Sequence, residues 1–230
     1  MGYGYFCSWS SKPVYERLKE ENVNEPEVTV GIEHETWNEE SPYRIPSRKL
    51  GMWLFILSDA VTFAAILYAY AFLRLATANW TRPFEVSSIV NGFVMTTVLL
   101  VSSVTMLAAF DAAKHNQRSR SVTWLGVTML LGILFAAMHI REWIRMIHEG
   151  WRLFQNPIGG PVLFGSTFFC ITGLHLLHVI AGVVAIAVIS IKYSRGTLDA
   201  GHVESVGLYW HFVDLVWMFV FPLVYLMNAK

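Results

Sequence analysis

Apolar residues fall in five long runs along this chain, at 50–73, 89–110, 122–140, 162–191 and 206–227, parted by stretches rich in charge, proline and glycine. Each run is about 20 residues or longer, enough to cross a hydrocarbon core of about 30 Å as a helix. None shows the strict alternation of a barrel strand, and lipid cannot satisfy an open strand edge. The pattern therefore predicts an all-α fold, a polytopic membrane helix bundle with five transmembrane helices. The spans are set at about 50–73, 89–110, 122–146, 162–191 and 206–227. Arg82-Pro83 and the Asn156-Pro157-Ile158-Gly159-Gly160-Pro161 stretch mark turns before the second and fourth helices. The third run continues as an amphipathic extension to Trp151, carrying Arg141, Glu142, Arg145 and Glu149.

Charge adds a second region. Nine of the 17 acids lie between residues 16 and 40, ahead of the first run and among few large aliphatics. Such a composition buries little. Residues 1–47 are therefore expected to form an acidic, extended tail on the cytoplasmic side, with the membrane domain at 48–230. The apolar share of 54% exceeds that of an ordinary soluble domain. No basic cluster points to nucleic acid. Cys7 and Cys170 make neither a disulfide framework nor a Cys-x-x-Cys site. The N-terminus lacks the positive-then-apolar pattern of a cleavable leader. Lys and Arg bias the orientation. With the N-terminus inside, Arg44, Arg48, Lys49, Lys114, Arg118, Arg120, Lys192 and Arg195 face the cytoplasm; Arg74, Arg82, Arg141, Arg145, Arg152 and Lys230 face the other way. The expected location is a bacterial-type cytoplasmic or inner membrane, N-terminus inside and C-terminus outside.

Ionisable residues inside the runs are the candidate chemistry, because burying them in lipid is expensive. Asp59 lies mid-way along the first run; its carboxyl reads either as part of a proton path or lipid site, or as a neutral acid bonded within the bundle. His175 and His178, three apart, fall on nearly one helix face. They suit metal or haem ligation only with further ligands, and His139 and His211 are the other histidines at membrane depth. Four are too few for a copper–haem core, so the reading prefers hydrogen bonds between helices, with Gly173 and Gly182 allowing close approach. Glu142 follows His139 by three residues and is placed to pair with it. In the last run His211 and Asp214 are three apart, and Trp210, Asp214 and Trp217 share a stripe that reads as a protein-packing face. No catalytic nucleophile accompanies them, and neither a catalytic nor a metal site is assigned to the chain.

These residues carry a family resemblance. Gly165-Ser166-Thr167-Phe168-Phe169 followed by Thr172-Gly173-x-His175-x-x-His178-Val179-x-x-Gly182, and Trp210-His211-Phe212-Val213-Asp214-x-Val216-Trp217, resemble signatures of subunit III of the haem–copper terminal oxidases. Gly51-Met52-x-Leu54-Phe55-Ile56-x-Ser58-Asp59 is similar to the matching first helix. The resemblance runs from about residue 48 to the end. It implies a non-catalytic subunit that packs on subunit I, holds phospholipid, and supports proton uptake and turnover stability. Haem and copper are then expected in partner subunits, with none in this chain. Asp59, Glu142, His175 and His178 become the lipid- or proton-related residues, and Trp210, His211, Asp214 and Trp217 the packing residues. Two departures stand out. The family carboxyl on the first matched helix is usually glutamate, one methylene longer than Asp59. Many members also have seven helices, and in five-helix relatives the missing pair can be fused to subunit I. The alternatives are the equivalent subunit of a quinol oxidase or nitric oxide reductase and, from a different class, an independent proton channel or transporter. The inverted repeats and broken helices common in transporters are not evident in this sequence.

Overall fold

The computed structural model describes residues 47–78, 80–157 and 162–229. The acidic tail, Cys7, most of the 156–161 turn and Lys230 lie outside the described residues. Five helices follow in order: α1 (Ser47–Ala76), α2 (Val86–Lys114), α3 (Arg118–His148), α4 (Leu163–Ser194) and α5 (Ala200–Val220). The last is prolonged by a π-helical turn (Phe221–Tyr225) and a 3-10 turn (Leu226–Asn228). All five are long and apolar enough to cross a membrane. Among the described residues no strand forms, only two isolated bridges, Phe84 with Ala229 and Arg152 with Gln155.

The helices outrun the predicted spans, because polar ends such as Arg48, Lys114 and Arg118 extend them beyond the apolar stretch. Their stops follow from single residues. Gly150 (φ 92°) ends α3, Gly196 (φ 75°) ends α4 and Asn116 (φ 57°) ends α2, each in the left-handed region. At each, the following N–H reaches back to a carbonyl in the last turn: Trp151 to Met146, Thr197 to Lys192 and Gln117 to Ala112. This is the closure that a left-handed residue after a helix permits. It puts the end of α3 at His148, three residues short of the expected extension.

Packing inverts the soluble pattern. The buried positions of α3 are Ser121, Leu125, Thr128, Gly132, Phe135, His139, Glu142 and Met146, spaced alternately by four and three. That spacing is one helix face, and five of its eight positions are small or polar. The outward face carries Leu130, Ile133, Leu134, Ile140 and Ile144. Lipid tails are as apolar as leucine, so helices associate through close packing of small residues and through hydrogen bonds. The α2–α3 hairpin does both: Ser121 donates to the Ala109 carbonyl at 2.8 Å, and the Thr105 and Thr128 hydroxyls meet at 2.8 Å. Helix α5 is the central helix, packed on α1, α2 and α4. Its Trp210 ring is fully buried against Gly132 of α3 and Gly182 of α4. Helix α1 is the opposite case, with Phe63 and Tyr70 its only buried side chains among the described residues.

Candidate functional site

Three polar fastenings hold the exposed helix α1 to the bundle. At its N-terminal end Arg48 donates to the Asp199 carboxylate at 3.1 Å and contacts the His202 ring, while Lys49 pairs with Glu204 at 2.6 Å. Partial desolvation pushes the Asp199 carboxyl up, but the hydrogen bonds from His202 and Arg48 outweigh it and hold it below the usual carboxylate range. At the other end Asn228 is a junction. Its amide donates to the Tyr70 hydroxyl (2.5 Å) and the Val224 carbonyl (2.6 Å), and its side-chain oxygen accepts from the Trp80 indole (2.8 Å). Tyr70 in turn donates to the Leu223 carbonyl at 3.1 Å, and Arg74 donates to the Met227 carbonyl. The π-helical turn puts the Leu223 and Val224 carbonyls within reach of these side chains, and Pro222 brings no N–H of its own. Sequence reasoning missed Tyr70 and Asn228. The only signal was an asparagine at the end of an apolar run.

Between these ends, Asp59 meets His178 of α4. His178 Nε2 stands 3.3 Å from Asp59 Oδ2, an ion-pair distance, although that oxygen has no aligned hydrogen bond. The other ring nitrogen, Nδ1, lies 2.8 Å from the Leu174 carbonyl. A carbonyl only accepts, so Nδ1 carries a hydrogen and Nε2 is the atom turned toward Asp59. Phe63 closes edge-on over the His178 ring at 5.1 Å, and the Tyr209 hydroxyl donates to the His178 carbonyl at 3.1 Å.

The other residues expected to join this site do not. His175 does not share a site with His178: it is fully buried and stacks on Trp217 of α5, ring centroids 5.1 Å apart. Three residues turn a helix far enough to send one ring toward α1 and the other into the core. Glu142 does not pair with His139. It is buried at the α2–α3 interface, where Asn91 donates to it at 3.2 Å and Arg145 at 2.7 Å. Among the described residues no three His, Cys, Asp or Glu side chains converge to hold a metal ion.

The α5 stripe is directed at α2 of the same chain. Trp210 Nε1 donates to Ser102 Oγ and Trp217 Nε1 to Thr96 Oγ1, both at 3.0 Å. Each hydroxyl passes its own hydrogen to its helix, Ser102 to Leu99 O and Thr96 to Gly92 O. Ser103 donates to Asp214 Oδ2 at 2.5 Å and lies 3.0 Å from His211 Nδ1. Four α5 residues singled out from the sequence thus meet three α2 hydroxyls that were not.

Helix α1 also borders two apolar grooves of about 350 Å³ each. One, against α5, is lined by residues including Phe63, Leu67, Phe212 and Phe219; the other, against α4, includes Ile66, Tyr70 and the exposed Cys170. The arrangement combines a mid-helix carboxyl–imidazole contact with two apolar grooves along α1.

Comparison with known proteins gives consistent matches. The family described as cytochrome c oxidase subunit III matches residues 45–229. The cytochrome bo(3) ubiquinol oxidase subunit 3 of Pseudomonas aeruginosa is 36% identical over 182 residues, covering 78% of this chain and 84% of that protein. The cytochrome c oxidase subunit 3 of Bacillus subtilis is 33% identical over 183 residues, with 78% and 86% covered. A heme-copper oxidase subunit I+III of Aeropyrum pernix is 29% identical over 215 residues, 89% of this chain and 25% of that longer protein.

Proposed function

Because the chain belongs to the cytochrome c oxidase subunit III family, we propose that it is the non-catalytic subunit III of an aerobic respiratory haem–copper oxidase. In this reading it packs on subunit I, binds phospholipid along α1, and supports proton uptake and the durability of turnover. Haem and copper belong to partner subunits. The N-terminus lies inside and the C-terminus outside, in a bacterial-type membrane.

The observation that carries the reading is helix α1. It is held at three levels by polar contacts, yet leaves Trp53, Leu54, Leu57, Val61 and Phe72 exposed. Such a helix is fixed in place while most of its surface is free for lipid or a neighbouring chain. The Aeropyrum relative, in which subunits I and III are one protein, supports subunit I as that neighbour. The Asp59–His178 contact supports the proton-related role, since it sets a carboxyl against an imidazole within the membrane-spanning lengths of α1 and α4. Relatives include subunits of both ubiquinol and cytochrome c oxidases at similar identity, so the resemblance favours neither electron donor.

Purification from the native membrane through a tag on this chain tests the reading. Subunit I and haem are expected to co-purify with it, and the isolated chain is expected to carry no stoichiometric haem or copper. Co-purification without any oxidase subunit, or pH-dependent proton flux through the reconstituted chain alone, overturns it and favours an independent channel.

A further inference from the structure

His139 and His175 are both fully buried, on α3 and α4, and face the same aromatic cluster. Trp217 lies 5.5 Å from the first ring and 5.1 Å from the second; Phe135 lies 5.8 Å from each. A neutral imidazole carries one N–H donor and one lone-pair acceptor. All four ring nitrogens here lack a hydrogen-bond partner within the chain. The polar groups around them are already committed. Trp217 donates to Thr96, Trp143 to Thr172, Thr172 to the Phe168 carbonyl, and Glu142 accepts from Asn91 and Arg145. One more buried atom is left over on the same hub. The Tyr225 hydroxyl has no partner either, and its ring sits 5.9 Å from Trp217.

Buried polar groups in folded proteins are almost always satisfied, by protein or by ordered water. A metal ion does not fit, since among the described residues no third ligand of the usual kinds joins the pair. Two neutral imidazoles and a phenol offer donors and acceptors in a mixed set, which is the complement of water. We infer that His139, His175 and Tyr225 form an internal binding site for ordered water, between α3, α4 and α5 at the centre of the bundle. Interior waters typically make about three hydrogen bonds each, so about two molecules are needed to satisfy all five orphaned atoms. Glu142, one turn beyond His139 on the same α3 face, pairs instead with the half-exposed Arg145 toward the helix end. The site is separate from the Asp59–His178 pair and does not depend on the subunit assignment.

The test uses the intact complex in detergent. A high-resolution density map is expected to show ordered density within hydrogen-bond distance of a nitrogen on each ring. Infrared spectra are expected to contain a buried-water band that shifts in H₂¹⁸O. His139→Phe and His175→Phe keep ring shape but remove the nitrogens. Each is expected to lower the midpoint for thermal loss of this chain by a few degrees, and the double variant by less than the sum, because the same waters leave. His175→Asn, which keeps a donor and an acceptor, is expected to retain more stability than His175→Phe. Density showing the two rings bonded directly to each other overturns the inference. So does a dry map with additive or stabilising Phe substitutions, or Asn less stable than Phe.

Discussion

Replacing Gly182 with alanine tests the packing on which the central helix rests. A Cβ added there meets Trp210 Cε3 at 2.9 Å and Cζ3 at 3.0 Å, against about 3.5–4.0 Å for relaxed carbon contacts. The ring must move by roughly half an ångström to one ångström. It has little freedom to do so. A Cβ on Gly132 would stand 2.6 Å from Cη2, so the neighbouring ring edge already lies on the α3 backbone. The indole nitrogen is also tied to Ser102 at 3.0 Å. Overpacking of this kind costs about 1–3 kcal/mol, and losing the indole hydrogen bond adds about 1 kcal/mol. Alanine returns up to about 1 kcal/mol of helix propensity. The net expectation is a loss of about 2 kcal/mol, which for a domain of this size lowers the thermal midpoint by about 4–8 °C. The assay is thermal unfolding of the purified chain in detergent, run in parallel in a Trp210→Leu background. If the clash is with the indole, Gly182→Ala loses most of its effect in that background. An equal loss in both backgrounds, or no loss in either, refutes the reasoning.

Asp59→Ala removes the counterpart of His178 Nε2 but leaves both end fastenings of α1. Polar contacts between membrane helices average roughly 0.6 kcal/mol, so assembly is expected to persist while the complex inactivates sooner during sustained turnover; failure to assemble would make the pair structural. Asp214→Leu removes the carboxylate acceptor of the partly buried Ser103 hydroxyl, leaving His211 Nδ1 as its neighbour on α5, and is expected to cost about 1 kcal/mol, seen as reduced yield of folded chain. Asn228→Ala strands the Trp80 indole and removes two hydrogen bonds to Tyr70 and Val224, an expected loss of about 2–3 kcal/mol that Tyr70→Phe should partly mimic in the same unfolding assay. The Asp199 clamp has a pH signature. Its carboxyl is held below its unfolded value near 3.8, so its contribution is present above that pH and is lost as pH falls through the lower folded value. Wild type and Asp199→Asn are expected to differ in thermal midpoint at pH 6 and to converge as the pH falls below 3.8 and through the lower folded value.

The five helices were legible because a bilayer imposes a length on apolar runs, whereas the stops at Gly150, Gly196 and Asn116 in the left-handed region were not read from the sequence. What the sequence obscured was which face of each helix turns inward. On α3 the inward strip contains Ser121, Thr128, Gly132, His139 and Glu142, while the large aliphatics face out. A reader expecting an apolar core assigns these faces backwards. The alternating spacing of four and three was present in the sequence and pointed to the strip once polarity was inverted. The same inversion hid Thr96, Ser102 and Ser103. A hydroxyl in an apolar run reads as tolerated, because it can bond its own helix carbonyl. Here Ser102 and Thr96 do that and also accept an indole N–H from α5, while Ser103 donates to Asp214 instead. His175 and His178 were read as one unit because they are three apart. Their separation follows from α4 being enclosed on more than one side, so neighbouring positions meet different helices.

Helix α1 follows from the same physics in a different balance. Helix association in lipid gains little from apolar area as such, and depends on close packing and hydrogen bonds. With only Phe63 and Tyr70 buried, α1 has little close packing to offer, so its position is set by Arg48 and Lys49 at one end, Asp59 in the middle, and Tyr70 and Arg74 at the other. Three separated fastenings fix both the tilt and the rotation of a rod, which a single contact cannot. The rotation they fix directs Phe63, Ala64 and Leu67 to the α5 groove and Ile66, Ala69 and Tyr70 to the α4 groove. The α5 groove therefore owes its shape to polar α1 side chains outside its lining, and the α4 groove to the same side chains, of which Tyr70 also belongs to the lining. A change in any one fastening should alter what the grooves accept before it alters whether the bundle folds.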